Sequence, residues 1–219
     1  MELAKPALDV GLYTNNLNSM LDFWQHYAPY DELLKLGGGA HQHRHRIGDS
    51  ILKVNNTRER IDPGAPTGIS SLTIYRSQQT ENQSFSDPDG NQLIVAPARE
   101  AMNLTLDIAC NDVATSANFY ASIMGLGAIG ELEFQVGASS IRLSPGQVGK
   151  FQRQGLGFRY MTVQVFDVVT THNAILEAGG TEGMEPTRLG DVAYISFVTD
   201  PDGNWIEISQ RKSITGSLE

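Results

Sequence analysis

The pentapeptide Asp-Pro-Asp-Gly-Asn occurs twice in this chain, at 87–91 and 200–204. Each copy runs directly into an apolar strand, Gln92-Leu-Ile-Val-Ala and Trp205-Ile-Glu-Ile-Ser. Asp-Gly supplies turn residues that tolerate positive φ, so each copy is a β-turn opening extended chain. Two further repeats stand around it in the same order. Ile47-Gly-Asp-Ser-Ile-Leu-Lys53-Val54 matches Val136-Gly-Ala-Ser-Ser-Ile-Arg142-Leu143. Leu8-Asp-Val-Gly-Leu-Tyr-Thr-Asn-Asn-Leu17 matches Leu104-Thr-Leu-Asp-Ile-Ala-Cys-Asn-Asp-Val113. Three repeats in one order mean two homologous halves, 1–98 and 99–219.

Within each half the apolar period switches between 2 and 3.6. Val10, Leu12 and Thr14 alternate with Asp9, Gly11 and Tyr13, a strand with one apolar face. A helix capped by Asn16 is expected next, because Leu17, Met20, Leu21 and Trp24 fall at i, i+3, i+4 and i+7. The second half repeats this with Leu106, Ile108 and Cys110, the cap Asp112, and the stripe Val113, Ala117, Tyr120 and Met124. Two or three more short strands follow in each case, separated by Gly turns. A further strand, Met161 to Val165, precedes an Asp167-capped helix that stops at Gly179-Gly180. The unit is βαβββ, used three times fully and once in part, which makes the fold class α+β. The second unit is the truncated one. Only eleven residues, Arg76 to Ser86, stand where the fourth unit has thirty-four, Phe166 to Thr199, so its helix and one strand cannot be built. The sheet face left bare must be covered by the other half or by a second subunit, and a homodimer is the expectation.

Composition narrows the partners. A chain of 219 residues with 40% hydrophobic and 19% charged residues is globular rather than disordered, and a net charge of −9 argues against nucleic acid or an anionic membrane as partner. One cysteine, Cys110, excludes a disulfide framework and a Cys-rich zinc site. The amino end has no basic-then-apolar pattern and no apolar run approaches a membrane span, so a cytoplasmic protein with a small-molecule ligand is expected.

Paired βαβββ units with Phe-Val-Thr-Asp-Pro-Asp-Gly-Asn-Trp-Ile-Glu (197–207) near the end resemble the vicinal oxygen chelate superfamily, which includes glyoxalase I, bleomycin-resistance proteins and extradiol dioxygenases. The resemblance spans nearly the whole chain and implies two units curled into a U-shaped sheet whose concave face holds a metal or a ligand. It places one metal ligand, usually His, on the first strand of each unit and one, usually Glu, on the last. Those positions here are Asp9, Thr105 and Tyr160, with Ile69 or Ser71 in the second unit, and then Lys53, Ile94, Arg142 and Glu207. Glu207 matches, Asp9 is an oxygen donor, and no His occupies any of them. Lys or Arg at a ligand position repels a divalent ion. The dioxygenase signature is also broken, with Phe197 at its Tyr position and Arg188-Leu189-Gly190 in its His region. No cofactor is expected, and a divalent metal is the less favoured alternative.

Side-chain direction nominates the site. Glu207, between Ile206 and Ile208, points into the expected hollow as a general base or as the partner of Arg142. Lys53 and Arg142, each flanked by apolar neighbours facing away, make that hollow basic and suited to a carboxylate, phosphate or enolate; the alternative is internal bridging of Lys53 to Asp9 and of Arg142 to Glu207 or Asp107. Asp9, Thr105, Asp107, Tyr160, Thr162 and Gln164 fall on the same concave side by strand alternation, and Trp205 shares the Glu207 face. Tyr160 is an acid or a hydrogen-bond donor. His41, His43 and His45 would share one face of a strand and could chelate zinc or copper; a solvated edge strand, or an anion contact by Arg44 and Arg46, is the competing account.

Three functions stay open. One is an acid–base lyase or isomerase in which Glu207 removes a proton next to a carbonyl while Arg142 or Tyr160 stabilises the enolate. Another is a ligand-sequestering protein of the bleomycin-resistance kind. The third is a metal enzyme with ligands drawn from Glu207, Asp9 or the His41–His45 run. Whether units pair within one chain or across two is not visible at this level.

Overall fold

The two Asp-Pro-Asp-Gly-Asn turns organise the molecule, and the computed structural model, which describes residues 1–218, shows how. The first half runs β1 (Leu3–Tyr13), α1 (Leu17–Tyr27), β2 (Tyr30–Lys35), β3 (His41–Ile47) and β4 (Ser50–Asn56), then β5 (Ile69–Arg76), β6 (Gln83–Ser86) and β7 (Gln92–Pro97). The second half runs β8 (Leu104–Cys110), α2 (Val113–Asn118, prolonged by a π-helical turn at Phe119–Ile123), β9 (Gly127–Gly130), β10 (Glu133–Val136) and β11 (Ser139–Pro145). It continues with β12 (Gly157–Val165), α3 (Val168–Glu177), β13 (Thr181–Leu189), β14 (Ala193–Thr199), β15 (Trp205–Arg211) and the short α4 (Lys212–Thr215).

The units pair within the chain, first with fourth and second with third. The eight-stranded sheet has the order β13-β14-β15-β12-β1-β4-β3-β2, and the seven-stranded sheet β6-β7-β5-β8-β11-β10-β9. Each sheet therefore draws one unit from each sequence half, joined at an antiparallel seam, β1 with β12 and β5 with β8. The missing eighth strand of the second sheet is the one that Arg76–Ser86 is too short to supply. Apolar residues of both sheets, among them Val10, Leu52, Met161, Leu72, Leu106 and Ile141, join Trp24 and Tyr120 in one continuous core. Each fully buried side chain of this size contributes on the order of 1.5–3 kcal/mol.

Each Asp-Pro-Asp-Gly-Asn turn folds on its first aspartate and then receives an aromatic residue from a helix. Asp87 Oδ1 accepts the backbone N–H groups of Asp89 and Asn91 at 3.0 and 2.9 Å, and Oδ2 takes the Trp24 indole N–H at 3.2 Å. Asp200 does the same for Asp202 and Asn204, and its Oδ2 takes the Tyr120 hydroxyl at 2.9 Å. Burial pushes both carboxyls up despite these donors. The repeat thus anchors α1 to the second unit and α2 to the fourth. It also answers what covers the second unit's bare face. Tyr27 of α1 packs on Phe85 with ring centroids 5.2 Å apart, Arg76 donates to the Tyr27 carbonyl, and Leu93 and Val95 are buried. The cover comes from α1 of the same half, neither from the other half nor from a second subunit, so the face does not call for a dimer.

Capping follows the sequence at two helices of three. Asp112 and Asp167 accept from the N–H of Thr115 and Thr170, and α3 ends in a left-handed Gly179. Asn16 does not cap α1. Its ψ of 49°, against 101° and 110° at the two aspartates, turns the side chain away, and Thr14 Oγ1 accepts the Asn16 N–H instead.

Candidate functional site

The concave face of the eight-stranded sheet encloses a cavity of about 150 Å³. Strand alternation sets its lining: Lys53 from β4, Tyr160 and Gln164 from β12, Glu207 from β15, and Gln42 and Arg44 from β3. The register lays Tyr160 beside Gly11, and Thr162 beside both Asp9 and Glu207. At the centre the Lys53 ammonium donates to Glu207 Oε2 at 2.9 Å and to Thr162 Oγ1 at 2.7 Å, and the Thr162 hydroxyl donates to the same Oε2 at 2.7 Å. The Lys53 side chain is 4% exposed, that of Glu207 12%. Glu207 Oε1 has no hydrogen bond among the described residues and is left facing the hollow.

A second network fixes Tyr160. Asn55 Nδ2 donates to the Leu12 carbonyl at 2.8 Å, which settles the amide's orientation, and its Oδ1 accepts from Gln42 Nε2 at 3.1 Å. Gln42 Oε1 in turn accepts from Arg44 at 3.1 Å. With both amides so oriented, Asn55 and Gln42 each turn an N–H toward the Tyr160 oxygen, at 3.2 and 3.4 Å. The phenol therefore accepts from its neighbours, and its own proton is free for the cavity. Burial pushes the Tyr160 phenol well above its usual range, with the Glu207 charge adding to the effect, so it stays a donor at neutral pH. Its ring lies over Gly11, where a Cβ would overlap it, with Lys53 Nζ 5.3 Å from the ring centroid.

Toward the mouth, Arg153 lies over the rings of Phe197 and Trp205 at 5.2 and 5.5 Å. A wider recess of about 510 Å³ adjoins at Tyr13, formed by the linkers around 57–62 and 152–154. Arg159 holds those linkers together, donating to the carbonyls of Leu156, Ala65 and Pro63 at 2.7–2.9 Å.

Several expected site residues stand elsewhere. Arg142, Thr105 and Asp107 belong to the seven-stranded sheet, because the first unit pairs with the fourth and not with the third. They therefore share no cavity with Glu207 or Tyr160. There Arg142 Nε pairs with Asp107 Oδ1 at 2.7 Å, Ser71 and Thr73 donate to Asp107 Oδ2, and Thr105 joins Tyr75 and Ser140. With the eighth strand missing this hollow is shallow, and the Arg142 side chain is 43% exposed. Asp9 is buried but is taken by Lys5 and by the Ile51 N–H at 2.8 Å, not by Lys53.

The histidine run fails for a period-2 reason. Gln42 and Arg44 face the hollow, so His43 and His45 fall on the opposite face against Tyr30, with ring centroids 6.0 and 5.4 Å away. His45 Nδ1 lies 2.9 Å from the Ala28 carbonyl oxygen, and burial pushes both imidazoles down. Of the eight positions at which the resemblance places metal ligands, Lys53, Tyr160 and Glu207 line this cavity, and only Glu207 among them is a carboxylate. A divalent ion there would meet an ammonium already bound to the one available carboxylate. No cluster of three or more His, Cys, Asp or Glu stands anywhere among the described residues. The donor set does not fit a divalent metal.

Sequence reasoning passed over Gln42, Asn55, Arg153 and Arg211. The first two alternate with residues it did weigh and were legible in principle; Arg153 sits in a linker with no periodic signal.

Comparison with known proteins agrees with this architecture. The family model described as "Glyoxalase/Bleomycin resistance protein/Dioxygenase superfamily" matches residues 103–208. Glyoxalase I from Zea mays superposes with a TM-score of 0.76 over 93% of this chain and 92% of that one, at 12% identity, a likeness of fold. Two curated proteins named "Probable lactoylglutathione lyase", from Vibrio parahaemolyticus and Vibrio cholerae, are 38% and 36% identical over 66 and 67 residues. Each match takes in 30% of this chain, which spans about half the length of those relatives.

Proposed function

We propose that this protein, whose residues 103–208 match the glyoxalase/bleomycin resistance protein/dioxygenase family model and whose fold is that of glyoxalase I, binds a small oxygenated organic anion in the hollow of the eight-stranded sheet and acts on it by acid–base chemistry. The supporting observation is the central constellation: a carboxylate with one oxygen anchored by Lys53 and Thr162 and the other free, beside a phenol whose proton is free.

Glu207 Oε1 removes a proton from carbon next to a carbonyl, the C–H electron pair passes into the carbonyl, and the enolate oxygen is held by the Tyr160 hydroxyl and the Lys53 ammonium. With an α-hydroxy carbonyl ligand the intermediate is an enediolate: the α-hydroxyl proton passes to the enolate oxygen, the α-carbon becomes the new carbonyl, and return of the abstracted proton to the former carbonyl carbon completes an isomerisation. Where the β-carbon carries a leaving group, the enolate pair forms the Cα–Cβ double bond as that group departs with its bonding pair, completing a lyase reaction. The cations of the lining suit an anionic ligand in a chain of net charge −9. The two Vibrio names favour a lyase for the same fold.

Ligand sequestration is the second reading, favoured by the saturation of Glu207 Oε2, which leaves a base already half neutralised. Proton exchange separates the two. In D₂O, small α-hydroxy carbonyl compounds followed by ¹H NMR should lose their α-proton signal in the presence of the protein, and Glu207→Gln should stop this. Exchange that survives Glu207→Gln would refute the base; binding without exchange in either protein would establish sequestration.

A further inference from the structure

The charges around the hollow do not cancel evenly along its length. At the centre Lys53 is neutralised by Glu207, and Asp9 by Lys5. At the opposite end, where a second recess adjoins, Arg44 and Arg211 stand against a single carboxylate oxygen, Oε1 of the part-exposed Glu32, at 3.1 and 3.0 Å. Arg44 is 5% exposed, yet its Nε donates to nothing, because the Glu32 oxygen lies off the N–H direction. A buried guanidinium N–H without a well-aligned partner, in a side chain that lines the cavity, has room for a better-placed acceptor. At the mouth Arg153 rests on Phe197 and Trp205 and makes no ion pair among the described residues. One surplus positive charge therefore stands at each end of the cavity, with a neutral pair between them.

Strand β15 provides the ruler. Trp205, Glu207, Ser209 and Arg211 alternate onto one face, so the Arg153 platform, the central carboxylate and Arg211 succeed one another over about 20 Å of backbone, and the long arginine side chains shorten that span. Building on the small-anion reading above, the geometry points to an organic dianion as the ligand. It lies lengthwise along β15, one carboxylate on Arg44 and Arg211, the other on Arg153, its middle over Lys53 and Tyr160. Planar guanidinium groups suit carboxylates, and the aromatic platform orients Arg153 before the ligand arrives.

The test compares matched straight-chain acids by isothermal titration calorimetry: butyrate with succinate, valerate with glutarate, hexanoate with adipate. At least one dicarboxylate should bind ten times more tightly than its monocarboxylate, equivalent to about 1.4 kcal/mol. Arg153→Gln, a change at a half-buried side chain outside the strands, should bring the pair within about threefold of each other while leaving the monocarboxylate in place. Equal affinities within every pair, or an Arg153→Gln that weakens both acids alike, would overturn the dianion. If monocarboxylates bind and no second carboxylate helps in any pair, the dianion is wrong and the small-anion reading stands. If no acid of either series binds, both fall.

Discussion

Gly11 and Tyr160 face each other across the β1–β12 seam, and the floor of the cavity depends on the glycine having no side chain. A Cβ at position 11 would lie 2.7 Å from Tyr160 Cδ1, with Cε1 and Cζ nearer still. Ordinary contact needs about 3.4 Å or more, so in Gly11→Ala the ring must move by roughly 1 Å. That movement costs about 1–3 kcal/mol as overpacking. Pulling the phenol from Asn55 and Gln42 adds about 0.5–1.5 kcal/mol for each bond lost. Gly11 is not in the left-handed region, so alanine suits its backbone and returns ~0.4–1 kcal/mol through the unfolded state. The net expectation is a loss of about 1–6 kcal/mol, read as a fall of several degrees in Tm or as a lower urea midpoint. The double-mutant cycle is the sharper assay. On a Tyr160→Ala background, where the overlying ring is gone, Gly11→Ala should become neutral or mildly stabilising. A Gly11→Ala cost that persists unchanged on that background, or one below ~0.5 kcal/mol in the parent protein, would refute the ring-over-glycine account.

Further outcomes follow from the same structure. Lys53→Met should destabilise by about 3–5 kcal/mol by stranding Glu207 without its cation, and adding Glu207→Leu should recover most of it in denaturant melts. The carboxyls of Asp112 and Asp167 are held below the usual range by the N–H groups of Thr115 and Thr170 that they cap. Their contribution is full above the unfolded value near 3.9 and is lost as pH falls through the lower folded values, so the stability gap between the parent and an Asp112→Ala/Asp167→Ala double variant should close below pH ~4. Burial pushes the Cys110 thiol up to about 11 and leaves it 1% exposed, so Ellman's reagent should label it only when the protein is unfolded.

The fold was largely legible because repetition and turn chemistry are local. The doubled Asp-Pro-Asp-Gly-Asn, the shift between strand and helix period, and the eleven-residue gap of the second unit together dictated the truncated seven-stranded sheet. The direction of Lys53, Thr162, Gln164 and Glu207 followed from apolar neighbours on alternate positions. Which unit pairs with which is a long-range matter that no local pattern encodes. That is why Arg142, Thr105 and Asp107 were grouped with Glu207 and turned out to serve the other sheet. The histidine run misled for a related reason: in β3 both faces are hemmed in, so the buried polar residues Gln42 and Arg44 and the histidines are equally consistent with facing inward until the partner strand β4 is known. Asn16 does not cap because capping depends on ψ at that residue, which residue type alone does not set.

The central claim is that this hollow carries its own cation and its own donor, Lys53 and Tyr160, around a carboxylate with one free oxygen. A crystal structure of the protein soaked with pyruvate, a small keto acid, tests it most directly. The account predicts the keto oxygen within about 3 Å of Lys53 Nζ and Tyr160 Oη, with the methyl carbon toward Glu207 Oε1. Pyruvate seated beside Arg142 and Asp107 in the open sheet, or a metal ion on Glu207 with Lys53 swung away, would contradict it.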